Sequence, residues 1–236
     1  MILFSQSLKA AGHRGWPTRF PDNTLAGFRA ASEVVSLVEI DVRRSADGAL
    51  VLSHDPEIGG LIVADTPWSE LRAIDLGGGH RPALLGDLMD QIPDLALDIE
   101  IKNWPLQPGF EPDGHTALEV ASMARPGDFL TCFYWVTMDQ VKEQFPSVPT
   151  GLLIDKDGPY RDAIEHARTV GHEIVAPHWS LVDGPVPDDL SVSVWTMNEP
   201  ERVADLAAWG VDAIITDDPG LIADAIERVR GGNDAN

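Results

Sequence analysis

Short apolar runs alternate along the chain with segments in which apolar residues return every three or four positions. The runs are rich in β-branched residues and are typical of buried strands, whereas the second spacing is typical of helices that bury one face. Eight strands are predicted in this way, at 8–12, 37–42, 95–101, 129–133, 150–155, 173–178, 192–197 and 213–217. One more run, 49–55, follows Asp47 and Gly48, a pair that predicts a hairpin turn.

Helices are predicted between these strands, at 23–35, 137–145, 160–170, 199–210 and 218–230. The first begins at Asn23 or Thr24, because both side chains can accept a hydrogen bond from the free amides of a helix start. Gly171 and Gly210 stand just past two of the helices, where glycine commonly ends a helix.

This alternation favours a parallel sheet, and 236 residues are close to the average of about 250 for a closed eight-stranded barrel. We therefore expect an α/β fold, a single TIM (β/α)8 barrel over 1–230 followed by a frayed tail at 231–236. Residues 56–92 are predicted to form a short cap-like insertion between the second and third barrel strands. A doubly wound open sheet is the alternative, but no glycine-rich phosphate-binding sequence follows an early strand.

The composition narrows the classes of partner. Hydrophobic residues make up 44% and charged residues 23% of the chain, as in ordinary globular proteins, and the net charge is −21. Such a charge repels nucleic acid and anionic membranes, so neither a nucleic-acid partner nor stable membrane association is expected. The single cysteine, Cys132, allows no intrachain disulfide. Without a signal-peptide pattern or a long apolar run, the sequence predicts a cytoplasmic protein and carries no signal of its oligomeric state.

Carboxylates interrupt two of the predicted strands. Glu39 and Asp41 are two residues apart, as are Asp98, Glu100 and Lys102, so each set shares one face of its strand. Their apolar neighbours suit the helix-facing side, which turns the carboxylates into the barrel near its C-terminal end, where barrel active sites lie.

Three buried carboxylates need compensation, since each uncompensated charge costs several kcal/mol. We expect Glu39, Asp41 and Glu100 to bind one divalent metal ion, and all-oxygen ligation favours Mg²⁺ or Ca²⁺, with Mn²⁺ possible, over zinc. The alternative is a set of salt bridges to Arg43, Arg44 or Lys102, or carboxylates exposed at a sheet edge.

Two histidines end strands at the same end of the barrel. His13 and His54 there suit a general acid and a general base near neutral pH. Arg14 and Lys102 add cations that suit phosphate, so a metal, two cations and two histidines together favour phosphoryl chemistry. Trp195 is a candidate wall of the pocket; weaker candidates for the same wall are His178, Trp16 and Trp179.

The motifs that carry these residues resemble those of the glycerophosphodiester phosphodiesterase family. In chain order they are HRG (13–15), PDNT (21–24), EIDVRRSADGALVLSHDP (39–56), TPWSELRAID (66–75), RPALLGDLM (81–89), LDIEIK (97–102), VWTMNEP (194–200) and GVDAIITDDP (210–219). Their order and spacing extend over nearly the whole chain.

The resemblance implies a TIM barrel that hydrolyses glycerophosphodiesters to glycerol 3-phosphate and an alcohol with a divalent metal. It places Glu39, Asp41 and Glu100 at metal-ligand positions and His13 and His54 at the acid–base positions. It also implies that Arg14 and Lys102 hold the phosphate, that the small-molecule diester is the partner, and that a glycerol hydroxyl is the nucleophile and forms a cyclic phosphate. Gly15 is expected to let the loop approach the ligand.

Two departures from the family pattern bear on the expected activity. Asp22 replaces the usual glutamate of the PDNT segment, and the insertion at 56–92 is short for the family. The alternatives that remain are a phospholipase D-like action on lysolipids, for which 59–68 is the only candidate membrane-facing loop, and a non-catalytic barrel that binds a phosphodiester.

Overall fold

The computed structural model describes residues 8–233, which form a closed barrel of eight parallel strands surrounded by helices. In chain order the elements are β1 (Lys9–Gly12), α1 (Leu25–Ser32), β2 (Leu37–Arg44), β3 (Leu50–Leu52), β4 (Glu57–Ile58), β5 (Leu61–Ile62), α2 (Trp68–Leu71), α3 (Leu85–Gln91), β6 (Ala96–Ile101), α4 (His115–Met123), β7 (Phe129–Cys132), α5 (Trp135–Gln144), β8 (Thr150–Ile154), α6 (Tyr160–Val170), β9 (Ile174–Pro177), β10 (Ser191–Val194), α7 (Val203–Ala208), β11 (Ala213–Thr216) and α8 (Pro219–Asn233). The barrel closes because β1 pairs in parallel with both β11 and β2. The predicted TIM barrel is confirmed, and the open sheet is excluded.

The predicted strands are all present, with ends that differ by up to three residues. The hairpin is also present, since β3 runs antiparallel to β2. Thr24, rather than Asn23, caps α1 by accepting a hydrogen bond from the amide of Gly27. The predicted helix at 199–210 is divided into a 3-10 turn, Pro200–Arg202, and α7.

Three helices were not predicted from the sequence: α2, α3 and α4. They are short, and α4 follows a stretch dense in proline and glycine that hides its start. Its first residue comes after Gly114, whose φ of 65° lies in the left-handed region that glycine adopts readily.

The barrel strands are buried on both faces, and each face contributes to a different core. Outward side chains such as Val38 and Ile40 pack with Phe28 of α1 in the large core between sheet and helices. The inward set is small and apolar; it consists of Ala11, Leu37, Phe129, Ile174, Ala213 and Ile215. Ala11, Leu37 and Ile215 of this set are each followed, two residues later on the same face, by a polar residue at the mouth of the barrel.

The insertion lies between β2 and β6, the second and third barrel strands, as predicted. It has a small core of its own, formed by Val51, Ile58, Val63 and Leu71. At the other end of the chain, α8 continues to Asn233, so it includes the first residues of the expected tail, and 234–236 lie outside the described residues. Within the described part, every helix is too short or too polar to cross a bilayer.

Candidate active site

The three predicted metal ligands meet at the C-terminal mouth of the barrel. Glu39 and Asp41 come from β2 and Glu100 from β6, where Asp41 and Glu100 are direct neighbours in the strand register. The three residues are 5%, 0% and 8% exposed in that order. Each offers a carboxylate oxygen within 4.8 Å of the other two. The prediction that these side chains share the inward face of their strands is therefore confirmed.

Two of these carboxylates keep an oxygen without a hydrogen-bond partner among the described residues. These atoms are Oε1 of Glu39 and Oδ1 of Asp41, both buried. A buried polar atom left in this way costs about 1–3 kcal/mol, more when it is charged, unless a ligand satisfies it. The free oxygens and the all-carboxylate donor set fit a hard divalent cation such as Mg²⁺, Ca²⁺ or Mn²⁺.

Two cations compensate part of this negative charge. Lys102 Nζ lies 2.6 Å from Glu100 Oε1 and 3.4 Å from Asp41 Oδ1, and Arg14 Nε lies 3.3 Å from Asp41 Oδ2. The salt bridge to Lys102 that was considered as an alternative to metal binding is thus present. No lysine or arginine in the described part of the chain forms an ion pair with Glu39, however, so these cations leave one carboxylate unmatched.

The pKa values of the three carboxylates reflect this uneven compensation of their charge. Burial, reinforced by the charges of Asp41 and Glu100, raises the pKa of Glu39 well above its usual range. Burial also raises the pKa of Glu100, and Lys102 offsets only part of the effect. For Asp41, burial is outweighed by the charges of Lys102 and Arg14, which lower the pKa. Asp41 is the carboxylate that stays ionised most readily, while Glu39 needs a further cation.

His13 is oriented by a carboxylate from the last barrel strand. Its Nδ1 lies 2.7 Å from Oδ1 of Asp217, which follows β11, and its Nε2 lies 3.9 Å from Oε2 of Glu39. The hydrogen bond from His13 lowers the pKa of Asp217, whose other oxygen accepts a 2.7 Å hydrogen bond from Asn198 Nδ2. An ionised Asp217 accepts the proton on Nδ1, so Nε2 of His13 is the nitrogen free to act on a ligand.

His54 reaches the same cavity from the loop that follows β3. Its Nδ1 lies 2.7 Å from Asp55 Oδ1, and its side chain is 39% exposed against 17% for His13. Arg43 fixes the loop by donating hydrogen bonds of 3.0 and 2.8 Å to the backbone carbonyl of His54. Arg43, considered as a salt-bridge partner of the carboxylates, instead positions His54 and contacts Gln107 Oε1 at 3.0 Å.

Arg14 is held in a left-handed conformation, with φ of 51°, directly after His13. Its backbone amide donates to Glu39 Oε2 at 3.0 Å, and its Nη1 donates to Asp22 Oδ2 at 3.0 Å. The shorter Asp22 therefore still reaches the arginine. The next residue, Asn23, donates from Nδ2 to Asp41 Oδ2 at 2.8 Å, so the PDNT segment supports both a cation and a candidate metal ligand.

Gly15 has a different role from the one expected. Its φ is 95°, and a Cβ there would lie 3.0 Å from the backbone carbon of Gly27 and 3.1 Å from the amide of Phe28. The glycine allows the loop to pack on α1, and it does not line the cavity at the mouth.

A cavity of about 220 Å³ joins most of the predicted residues; those that line it are His13, Arg14, Glu39, His54, Glu100 and Trp195. Lys102 lines an adjoining cavity beside Glu100. Trp195 is fixed by a 2.7 Å hydrogen bond from Nε1 to the carbonyl of Ala176, and its ring meets Phe133 edge-on at 5.3 Å. The weaker candidates His178, Trp16 and Trp179 are not among the residues that line this cavity.

A second cluster of acid and histidine lies outside the barrel, in the helical layer. His166 of α6 and His172 place Nε2 atoms 2.9 and 3.0 Å from Oδ1 of Asp139, on α5. Oγ1 of Thr150 lies 2.7 Å from Nδ1 of His172. Cys132, by contrast, belongs to the large core, and burial raises the pKa of its thiol to about 12.

Sequence reasoning missed the roles of Asp217, Asn198, Phe133 and Asp155. The alternation of side chains along a strand could have identified three of them, because each is two residues beyond an inward residue of its strand. Phe129 and Ile215 point into the barrel, as do Thr131 and Leu153. Continuing the alternation beyond the end of β7, β8 and β11 leads to Phe133, Asp155 and Asp217.

Comparisons with known proteins agree with this architecture. The sequence model of the glycerophosphoryl diester phosphodiesterase family matches residues 13–221. A glycerophosphodiester phosphodiesterase of Caldanaerobacter subterraneus is 27% identical over 92% of this chain and 96% of its own. The crystal structure of a glycerophosphodiester phosphodiesterase from Thermotoga maritima shares 25% identity, with a TM-score of 0.75 over 93% of this chain and 99% of its own. A phosphodiesterase of Oleispira antarctica, solved in complex with the product sn-glycerol-3-phosphate, has a TM-score of 0.80 at 22% identity, over 93% of this chain and 96% of its own.

Proposed function

Because the chain belongs to the glycerophosphoryl diester phosphodiesterase family, it is a phosphoric diester hydrolase, and we propose that one divalent metal ion and two histidines carry its reaction. Its substrates are glycerophosphodiesters, small molecules that this reaction cleaves to glycerol 3-phosphate and an alcohol. The Oleispira neighbour with sn-glycerol-3-phosphate bound supports a product of this kind.

Glu39, Asp41 and Glu100 are the residues that would hold the metal ion, and Mg²⁺, Ca²⁺ and Mn²⁺ all suit their oxygens. When bound, such an ion supplies Lewis-acid stabilisation of charge on the phosphate oxygens. The observation that carries the proposal is the cluster of three buried carboxylates, in which Glu39 Oε1 has no hydrogen-bond partner among the described residues, next to a cavity lined by two imidazoles.

Arg14 and Lys102 are the groups we assign to the phosphate. Arg14 can offer guanidinium N–H groups to two oxygens at once, and Lys102 offers a point charge. Both already contact Asp41, so they are held in place before a substrate arrives. A positioned donor loses less freedom on binding, which favours catalysis.

His13 and His54 divide the proton transfers between them. One accepts the proton of the glycerol hydroxyl that attacks phosphorus, and the other donates a proton to the leaving alcohol oxygen. Water then opens the cyclic phosphate formed in this step to glycerol 3-phosphate, with the two proton transfers reversed. Asp217 and Asp55 hold the two Nδ1 atoms, so each ring is positioned to act through Nε2. Trp195 forms a wall of the same cavity and contributes to substrate binding.

An action on lysolipids is the second candidate function. The loop at 59–68 exposes Leu61 and Ile62 by 36% and 37%, which is the apolar surface that a lipid substrate would need. The net charge of −21 opposes contact with an anionic membrane, so the soluble diesters are the preferred substrates.

Release of glycerol 3-phosphate from glycerophosphocholine and glycerophosphoethanolamine tests the proposal. The assay compares Mg²⁺, Ca²⁺, Mn²⁺ and EDTA, and release of choline from lysophosphatidylcholine tests the action on lysolipids. We expect metal-dependent turnover that is lost in His13→Ala and kept in His80→Ala, a control histidine that packs on Phe20. Turnover that persists in EDTA would refute the metal, and turnover that persists in His13→Ala would refute the assigned role of that histidine. If wild type binds the diesters without cleaving them under any metal, the non-catalytic alternative is correct.

A further inference from the structure

A second cavity of about 250 Å³ adjoins the cavity that holds the two histidines. The two cavities share Glu100, Phe133 and Asp155, so a ligand can extend from one into the other. Neither histidine nor Arg14 lines the second cavity, which instead includes Trp104 and Gln107. It is therefore placed to receive a part of the substrate that takes no part in the chemistry.

Two aromatic rings form a corner of this second cavity. Trp104 and Phe133 have ring centroids 6.2 Å apart and ring planes at 81° to each other. The two rings pack edge to face and both line the cavity, and the faces of aromatic rings attract cations. Trp104 is also 48% exposed, an arrangement that costs hydrophobic free energy unless a ligand covers the ring.

Asp155 adds a negative charge to the same corner. It follows β8 and lines both cavities, and no lysine or arginine in the described part of the chain forms an ion pair with it. The cation of the second cavity, Lys102, lies 2.6 Å from Glu100 and 3.4 Å from Asp41, so its charge is already matched. Two aromatic rings and a carboxylate without a salt bridge to lysine or arginine suit a positively charged, weakly hydrated group.

We propose that the second cavity, formed by Trp104, Phe133 and Asp155, binds the leaving alcohol and selects a quaternary ammonium headgroup such as that of choline. The inference rests on the proposed function, because it takes the alcohol to be the leaving group of the diester. A neutral polyol would leave its hydroxyls facing aromatic carbon. A primary ammonium is a compact and strongly hydrated charge, so aromatic rings replace its hydration less well than that of a quaternary ammonium.

A neutral isostere of the substrate, compared between wild type and variants, measures how much the cavity contributes to recognition of the charge. In the 3,3-dimethylbutyl diester a carbon replaces the nitrogen of choline, so shape is kept and the positive charge is removed; choline is also the better leaving group, and that part of the preference is the same in every variant. We expect wild type to prefer glycerophosphocholine over this isostere by at least about tenfold in kcat/KM, to which a desolvated cation–aromatic contact contributes. Trp104→Leu and Asp155→Asn should each reduce the preference by about threefold or more relative to wild type, and Leu106→Ala, a fully exposed neighbour on the same loop, should leave it unchanged.

A binding readout separates this inference from the proposed function. The indole N–H resonance of Trp104, assigned by its loss in Trp104→Phe, is followed while choline or 3,3-dimethylbutanol is added. We expect choline to shift this resonance and the alcohol to shift it at least fivefold less at equal concentration. Equal turnover of the two diesters, or equal shifts by the two alcohols, would overturn the headgroup subsite. A shift by choline alone in a protein that cleaves no diester would uphold the subsite and refute the phosphodiesterase reaction.

Discussion

Two groups of acid and histidine side chains, one at the barrel mouth and one in the helical layer, use the same residue types for different ends. In the outer group, Asp139 Oδ1 contacts both imidazoles and His172 Nδ1 contacts Thr150, so every one of these contacts is made within the chain. At the mouth, Glu39 Oε1 is buried without a hydrogen-bond partner among the described residues, and the only contact of Asp41 Oδ1 there is the 3.4 Å ion pair with Lys102. The difference shows that residue type alone does not identify a site, whereas unsatisfied buried atoms at a cavity do.

The two groups also differ in their charge. The mouth brings together three carboxylates and two basic side chains. When all three carboxylates are ionised, the net charge of this group is −1, which favours binding of a cation. The outer group has one carboxylate that its two histidines already satisfy. Substitutions at the mouth are expected to lower activity, and substitutions in the outer group are expected to lower stability. The following variants test that division.

The largest effect is expected at the two mouth histidines. His13→Ala and His54→Ala should each lower kcat/KM for glycerophosphocholine by about 10²–10⁴-fold, because each removes a proton transfer. With a p-nitrophenyl leaving group, which needs no proton, the variant that lacks the general acid should recover most of its activity and the other should not. His166→Ala in the outer group should remain within twofold of wild type. Loss of activity in His166→Ala, or recovery of both mouth variants, would contradict the division.

A smaller loss is expected when the partner of His13 is changed. Asp217→Asn should lower kcat by about 10²-fold with little change in KM, because the ring loses the carboxylate that fixes its tautomer. Asp217 is 34% exposed on its side chain, so water can replace part of the contact, and the loss should stay below that of His13→Ala. The matched change in the outer group, Asp139→Asn, should leave both constants unchanged. A rise in KM alone for Asp217→Asn would assign Asp217 to substrate binding.

In the outer group the expected effect is on folding. Thr150→Val keeps the shape of the side chain but leaves Nδ1 of the buried His172 without its partner, which should lower the free energy of unfolding by about 1–3 kcal/mol. Thr169→Val, an exposed threonine on α6, is the control and should change it by less than about 0.5 kcal/mol. Chemical denaturation measures the stability, and kcat/KM should not change in either variant.

The smallest effect is a dependence of stability on pH. Burial lowers the pKa of His172, although the hydrogen bond to Asp139 opposes the shift. The unfolded chain therefore binds a proton near the ordinary pKa of about 6.5, while the folded chain does so only at lower pH. Stability is lost as pH falls below about 6.5, and His172→Gln should show a shallower fall in Tm than wild type and the exposed control His115→Ala. Equal slopes in all three proteins would show that His172 makes no such contribution.

Much of the architecture follows from the sequence because a barrel strand is buried on both faces and alternates between them. That alternation predicts that Glu39, Asp41 and Glu100 meet inside the barrel, as they do. Phe133 and Asp217 are the last residues of their predicted strands, but an aromatic ring or a single carboxylate at a strand end does not by itself indicate a functional role.

Contacts between distant segments were beyond the reach of sequence patterns. Arg43 was one of the salt-bridge partners considered in the alternative to metal binding, yet its guanidinium turns to the backbone of His54, a contact set by the hairpin of β2 and β3. The assignment of Gly15 to the ligand was wrong for a similar reason, since the close approach of α1 depends on how that helix packs. Helix α4 was missed because its neighbours in sequence are prolines and glycines.

Metal binding by the protein itself tests the central claim most directly, and it needs no substrate. Mn²⁺ titrated into metal-free protein and followed by electron paramagnetic resonance gives the number of bound ions. We expect one site per chain, lost in Glu39→Gln and Glu100→Gln and unchanged in Asp139→Asn, with Mg²⁺ or Ca²⁺ displacing the ion. A site that survives both mouth variants, or that disappears in Asp139→Asn, would contradict the assignment of the metal to the barrel mouth.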